Sequence, residues 1–239
     1  YLLLHKKKQI WKNELPTISK GYTMVGVLWT SLFKKFPRTE PSESLPSIKT
    51  DLKNLPNNKN WLVWFGHSSF LMQIDGIKIL VDPVFSGNAS PISGSVKSFK
   101  GTDIYSVEDM PEVDYLLISH DHYDHLDFET IKKINAKVKN VICGLGIGAH
   151  FERWGFSPNK ILEKDWGDEV KINTNFSIHI ERTHHNCARG LTRDKALWVS
   201  YVFKTSTLQL FYSGDGGYDN RFEEIYKKYG TMDWAIMEF

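Results

Sequence analysis

His120-Asp121-His122-Tyr123-Asp124-His125-Leu126-Asp127 follows directly on the apolar run Tyr115-Leu116-Leu117-Ile118. Three of the chain's nine histidines fall within six positions there, so the string is a concentration of ligands rather than background composition. Imidazole and carboxylate suit zinc and neighbouring transition metals. The apolar run reads as a buried strand. Asp127 is well placed as a helix N-cap, and Phe128, Ile131 and Ile134 recur at helical spacing behind it. A loose histidine tract would need neither flank. The string therefore reads as a loop anchored between a strand and a helix, and as half of a two-metal site.

At 239 residues and 41% hydrophobic composition, the chain is long enough for one larger α/β domain with a substantial core. Residues 1–60 carry eleven Lys and Arg against four Asp and Glu, which leaves −5 for the remainder of a chain whose net charge is +2. Lys6, Lys7, Lys8, Lys34, Lys35 and Arg38 flank an aromatic-aliphatic patch from Tyr22 to Phe36. Residues 1–60 are expected to form a basic arm and irregular segment wrapping the domain, with peripheral contact to an anionic membrane surface as the alternative. No run reaches the roughly 18 apolar residues that span a bilayer, and Met24 to Phe33 is broken by Gly26, Thr30 and Ser31. The expectation is a cytoplasmic or peripheral membrane protein, and a start at Tyr1 leaves an upstream export signal open. Cys143 and Cys187 have no paired spacing and suggest no disulfide framework. The remainder is net negative and lacks a basic-aromatic groove, which argues against nucleic acid as a partner.

Residues 34–60, with Pro37, Pro41, Pro46 and Pro56, read as irregular, so the compact domain is expected over 61–239. Trp61–Phe65, Phe70–Ile74 and Ile77–Val81 read as an antiparallel start to a sheet, with Asp75-Gly76 as a hairpin turn. His67 and Asp82 fall at strand ends and are candidates to support the ligands from behind or to line a pocket, with a satisfied turn residue as the alternative for each. Residues 86–111 read as a long loop of the kind that forms lids. Gly144-Leu145-Gly146-Ile147-Gly148 departs from the dinucleotide-binding spacing, and tight backbone packing explains it better. Strands are expected over Asn140–Cys143, Phe176–Arg182, Ala196–Lys204 and Leu208–Tyr212, then from Trp234 onward. Short helices are expected at His150–Trp154 and around Phe222, Ile225 and Tyr226. Asp215, between Gly214 and Gly216, can sit on a sharp bend with its carboxylate aimed into a shared cleft.

The candidate ligands are then His120, His122, Asp124, His125, one of His184 and His185, and Asp215. That is too many for one tetrahedral zinc, whereas two ions sharing a bridging carboxylate would use them all. The mixed order of strands and helices fits a sheet-on-sheet core covered by helices.

The His120-x-His122-x-Asp124-His125 string resembles the signature of the metallo-β-lactamase superfamily. Trp64 to Ser69, Ile79 to Ser86, Ile118 to Asp127 and Ser213 to Tyr218 further resemble its N-acyl-phosphatidylethanolamine phospholipase D branch, with ascorbate-6-phosphate lactonase a more distant cousin. The resemblance recurs in order over residues 36 to 239. It implies an α/β fold, an αββα four-layer sandwich with the metals at one edge of the two sheets. It implies one or two Zn²⁺ ions, with iron or manganese as alternatives. His120, His122 and His185 would hold the first ion, and Asp124 and His125 the second. Asp215 would bridge them, and Asp124 and Asp215 would act catalytically on a zinc-activated water. His185 is chosen over His184 because Thr183-His184-His185-Asn186 matches the family segment best that way, leaving His184 as a pocket neighbour. The family's last ligand to the second metal is a histidine beyond the strand that begins near Trp234, so the resemblance implies that the chain is truncated at its C-terminus. The implied activity is phosphodiester hydrolysis of phospholipids resembling N-acyl-phosphatidylethanolamine. A lactonase or other carbonyl hydrolase acting on a small molecule, and a metal-binding module without turnover, are the alternatives.

Overall fold

The structure, a computed structural model, describes residues 10–12, 40–90 and 96–238. The basic N-terminal clusters and the patch from Tyr22 to Phe36 lie outside the described residues. Strands β1 (Trp61–Gly66), β2 (Ser69–Ile74), β3 (Ile77–Val81), β4 (Val113–Ile118), β5 (Val138–Gly144) and β6 (Ile161–Lys164) form one sheet in that order. The first three are antiparallel and the rest parallel. Asp75 and Gly76, both at positive φ (49° and 79°), close the β2–β3 hairpin as a tight two-residue turn. The second sheet has the order β13-β12-β11-β8-β7, with β7 (Glu169–Lys171), β8 (Ser177–Arg182), β11 (Val199–Lys204), β12 (Gln209–Tyr212) and β13 (Trp234–Ile236). A separate two-residue hairpin pairs β9 (Ala188–Arg189) with β10 (Thr192–Arg193).

Side-chain alternation sorts these strands into layers. Phe70, Met72, Ile79, Val81, Leu117 and Ile142 meet Ile178, Ile180, Val199, Tyr201, Phe203 and Tyr212 in a core between the sheets. The intervening residues Leu71, Leu80, Leu116, Ile118 and Val141 face the other way. They pack against Ile131 and Ile134 of α1 (Phe128–Ile134) and Phe151 of α2 (Gly148–Arg153). On the far face Val202 and Phe211 pack against Ile225 of α3 (Arg221–Tyr229). The layers are therefore helix, sheet, sheet, helix, the expected αββα sandwich.

Several local expectations needed adjusting. The strand expected from Ala196 begins at Val199, and the one from Trp234 ends at Ile236. Short β6 and β7, and the β9–β10 hairpin, carry too few alternating apolar residues to register in the sequence. Residues 86–111 include a bridge between Asn88 and Lys97 and a 3₁₀ turn at Val107–Asp109. The glycine-rich stretch after β5 is explained by close approach: a Cβ on Gly144 would lie 2.4 Å from the Leu197 carbonyl oxygen. The Glu163 carboxylate accepts from the amides of Gly146 and Gly148 at 2.8 and 2.7 Å, occupying the donors a phosphate would need. Cys143 and Cys187 are both free and buried. Ahead of β1, Leu52 is buried in the core and the Trp11 amide donates to the Asp194 carbonyl at 3.0 Å. Among the described residues no helix is long and apolar enough to cross a membrane.

Candidate metal centre

The parallel and antiparallel pairings bring five chain reversals to one end of the sandwich. These are the β1–β2 turn with His67, the end of β3 with Asp82, the loop from β4 to α1, the end of β8 and the end of β12. Two hydrogen bonds tie the sheets at this end: the Val199 amide donates to the Ser119 carbonyl at 2.9 Å, and the Tyr201 hydroxyl donates to the Ile118 carbonyl at 2.7 Å. Asp127 caps α1 by accepting from the Glu129 amide, and its other oxygen accepts from the Ser86 amide at 3.0 Å and the Thr130 hydroxyl. The ligand loop is thus held between a buried strand and a capped helix.

Two groups of donors result. His120, His122, His185 and Asp215 form one, and His67, Asp124, His125 and Asp215 the other, with all ligand atoms in each within 4.8 Å of one another. Asp215 belongs to both. In the first group His120 Nε2 lies 2.9 Å from His122 Nδ1, and His185 Nε2 lies 3.2 Å from each. Every hydrogen bond needs one N–H and one bare nitrogen, so no placement of imidazole protons satisfies all three edges of that triangle. Nitrogens around one tetrahedral zinc, bonded at 2.0–2.1 Å, are spaced at about 3.4 Å, and these fit that arrangement. Asp215 Oδ2 lies 3.7 Å from His120 Nε2 and 3.9 Å from His185 Nε2. Burial, with the neighbouring imidazoles, holds His120 well below its usual pKa and His185 at about 4. Both are neutral near pH 7, the state that coordinates metal.

In the second group the buried His125 Nε2 and Asp215 Oδ1 approach to 2.9 Å as an ion pair. Imidazole and carboxylate ligand atoms converging on one space are what a divalent cation would bind. Burial disfavours the charged form of His125, but Asp215 and Asp82 outweigh it and raise its pKa to about 10. The cavity electrostatics therefore call for positive charge at that nitrogen. Burial also opposes the Asp124 charge, but the hydrogen bond from His67 and the charge of His125 prevail and hold the carboxyl at about 2.

Asp82 stands behind this group. Fully buried, it accepts from His125 Nδ1 (2.8 Å), the Ser119 amide (2.8 Å), the Ser119 hydroxyl (2.5 Å) and the Tyr212 hydroxyl (2.6 Å). It thereby fixes the His125 tautomer with Nε2 facing Asp215. The Asp215 turn depends on Gly214, whose φ is +56° and where a Cβ would meet the Val199 carbonyl at 3.0 Å.

Each site residue read from the sequence can now be placed. His120, His122, Asp124, His125, His185 and Asp215 converge, and Asp82 backs them. His67 lies with the donors, its Nε2 3.1 Å from Asp124 Oδ2. His184 does not converge: its Nδ1 is 3.2 Å from Asp219 Oδ2, on the other side of the strand end. Two residues were not singled out. Arg189 stacks on Tyr123 (4.2 Å) and Trp154 (5.2 Å) while donating to the carbonyls of Asp121 (3.0 Å) and Leu126 (2.8 Å), so it brackets the ligand string. Glu238, beyond β13, has its amide donating to the Ser213 hydroxyl at 3.2 Å, and partial burial and the charge of Asp215 raise its pKa. The parallel pairing of β13 with β12 puts it there. A cavity of about 280 Å³ adjoins His67 and Asp124, walled mainly by Phe65, Val84, Ala89 and Phe99.

A four-layer αββα sandwich carrying paired histidine and aspartate donor groups at the sheet ends defines a metal-binding α/β protein with an open polar centre. The chain belongs to the metallo-β-lactamase superfamily: residues 78–239 match the family described as "Beta-lactamase superfamily domain". An uncharacterized protein of Mycobacterium bovis is 29% identical over 212 residues, covering 88% of this chain, and the chain spans only 56% of that relative's length. The N-acyl-phosphatidylethanolamine-hydrolyzing phospholipase D 1 of Caenorhabditis elegans is 30% identical over 236 residues, covering 87% of this chain and 65% of the relative. The solved structure of CmlA, a diiron β-hydroxylase from Streptomyces venezuelae, shares the fold with a TM-score of 0.56 at 21% identity, over 74% of this chain and 34% of CmlA.

Proposed function

We propose that this chain carries the catalytic domain of a zinc-dependent hydrolase, a phosphodiesterase acting on phospholipids resembling N-acyl-phosphatidylethanolamine. The observation that carries this reading is the pair of donor groups sharing Asp215, an arrangement that would let two ions act on one phosphoryl group. Similarity to the nematode phospholipase D supports the substrate class. So does the mainly apolar cavity beside Asp124, which has room for part of an acyl chain.

His120, His122 and His185 would hold one ion, and Asp124 and His125 the other, with Asp215 between. Zinc held by these groups would supply Lewis acidity and lower the pKa of bound water towards neutrality. Asp124 and Asp215 would orient the attacking water and relay its proton towards the departing alcohol. Attack at phosphorus breaks the bond to the alcohol, which leaves with a proton as an N-acylethanolamine, while phosphatidic acid remains. Iron and manganese suit overlapping donor sets, so the metal is assigned by measurement.

The test is elemental analysis of the purified full-length protein, with side-by-side assay of phosphodiester, phospholipid and lactone substrates. Metal-dependent release of phosphatidic acid is expected. Hydrolysis of lactones alone overturns the phosphodiesterase assignment, bound metal without turnover makes the domain a binding module, and absence of a transition metal defeats the centre itself.

A further inference from the structure

We propose that Asp219, clamped by Arg221, is a positioning residue: it holds the His184 side chain to one side and thereby directs His185 to the other, into the three-imidazole group. The inference rests on the two-metal reading for its consequence, and on a polar cluster outside both donor groups for its evidence.

His184 and His185 offer the same chemistry, and a one-residue slip at the strand end would exchange them. Their side chains diverge from adjacent positions. His185 Nε2 lies 3.2 Å from both His120 Nε2 and His122 Nδ1, whereas His184 Nδ1 lies 3.2 Å from Asp219 Oδ2. Whatever grips His184 therefore sets the direction of its neighbour. Asp219 is held firmly enough to do so. Just ahead of α3, its Oδ1 accepts from the Arg221 amide at 2.9 Å and its Oδ2 from the Arg221 guanidinium. The Asp219 and Arg221 side chains are only 9% and 8% exposed. A buried ion pair adds little stability over apolar side chains of the same size, so its use here is to specify one arrangement against its rival. The loop that carries Asp219 also grips the main chain beside His184. The Gly217 amide donates to the His184 carbonyl at 3.0 Å, and a Cβ on Gly216 would lie 1.8 Å from Thr183 Oγ1. Residue 184 is thus held by its carbonyl and its ring together, from the same loop that bears Asp215.

The competing role for Asp219 is a cap on α3 that steadies the fold and leaves the metal centre alone. In the full-length protein, His184→Ala and Asp219→Ala should each weaken the binding step that His122→Ala abolishes. Zn²⁺ and Co²⁺ titrations should show a loss of about 10- to 100-fold, the range for an outer partner of a ligand, with the other step unchanged. The double variant should be no weaker than either single one, because both act through one contact. His184→Asn, whose amide nitrogen can stand where Nδ1 does, should bind metal like the wild type. A crystal structure of metal-free Asp219→Ala should show His185 Nε2 withdrawn from His120 and His122. If Asp219→Ala does not fold, His184→Ala, which leaves the Asp219–Arg221 pair intact, serves in both measurements. Unchanged affinity in the single variants, additive losses in the double one, a His184→Asn no better than His184→Ala, or His185 undisplaced in the metal-free crystal overturns the assignment. A wild-type protein that binds no transition metal overturns the two-metal reading instead, and a displaced His185 in the metal-free variant would still uphold the positioning role.

Discussion

The two donor groups share Asp215 but are built in opposite ways. The first is rich in nitrogen: three imidazoles, one of them fully buried and two of them kept neutral chiefly by burial, crowd at 2.9–3.2 Å. The second is rich in carboxylate, more open at His67 and Asp124, and backed by the buried Asp82, Ser119 and Tyr212 network. Burial, with the charges of neighbouring imidazoles, prepares the first for a cation by disfavouring protons on His120 and His185. The second favours positive charge through its carboxylates, which raise the pKa of His125, and so depends on groups that orient its imidazole.

The largest effect should come where the two groups meet. Asp215→Ala removes a donor from both, so elemental analysis should find both ions weakened by more than about 100-fold, exceeding the loss of an outer partner, and phosphodiester hydrolysis at background. Retention of either ion at wild-type affinity would break the claim that the groups share this carboxylate. Asp82→Asn should separate them. Stepwise metal titration should show the second group weakened about 10- to 100-fold, with the first unchanged, because only His125 loses its charged orienting partner. Arg189→Ala acts from the other side. Removing its two charge-assisted bonds to the Asp121 and Leu126 carbonyls should lower stability by about 2–3 kcal/mol in urea, with affinity falling mainly in the first group.

The smallest effect concerns pH. His150 packs near Asp121 and Arg189 behind the ligand loop, and burial first, then the Arg189 charge, lower its pKa below the usual 6.5. Below pH 6.5 the unfolded chain therefore binds a proton that the folded chain refuses. Its contribution to stability is complete above pH 6.5 and declines as pH falls towards the folded pKa. Unfolding curves between pH 5 and 7 should flatten slightly in His150→Asn, and an unchanged slope would remove His150 from this account.

Much of the first group could be read from spacing. His120, His122 and His125 occupy one short loop whose flanks are a strongly apolar strand and a helix with a visible cap, and local signals of that kind survive tertiary context. His184 and His185 were less separable, because adjacent residues at a strand end point to opposite sides and a one-residue shift exchanges them. The structure turns His185 to the triangle and His184 to Asp219. Arg189 and Glu238 gave no local signal, since their roles come from carbonyls and carboxylates far away in sequence.

Periodicity, caps and turn residues in the sequence determined that strands, helices and a ligand loop would form, because those signals depend on neighbours within a few positions. Tertiary structure alone decided which strand ends share one edge. Only strand pairing and the packing of one sheet on the other bring His67, His125, His185 and Asp215 together. Only that convergence sets the buried His125 Nε2 2.9 Å from Asp215 Oδ1.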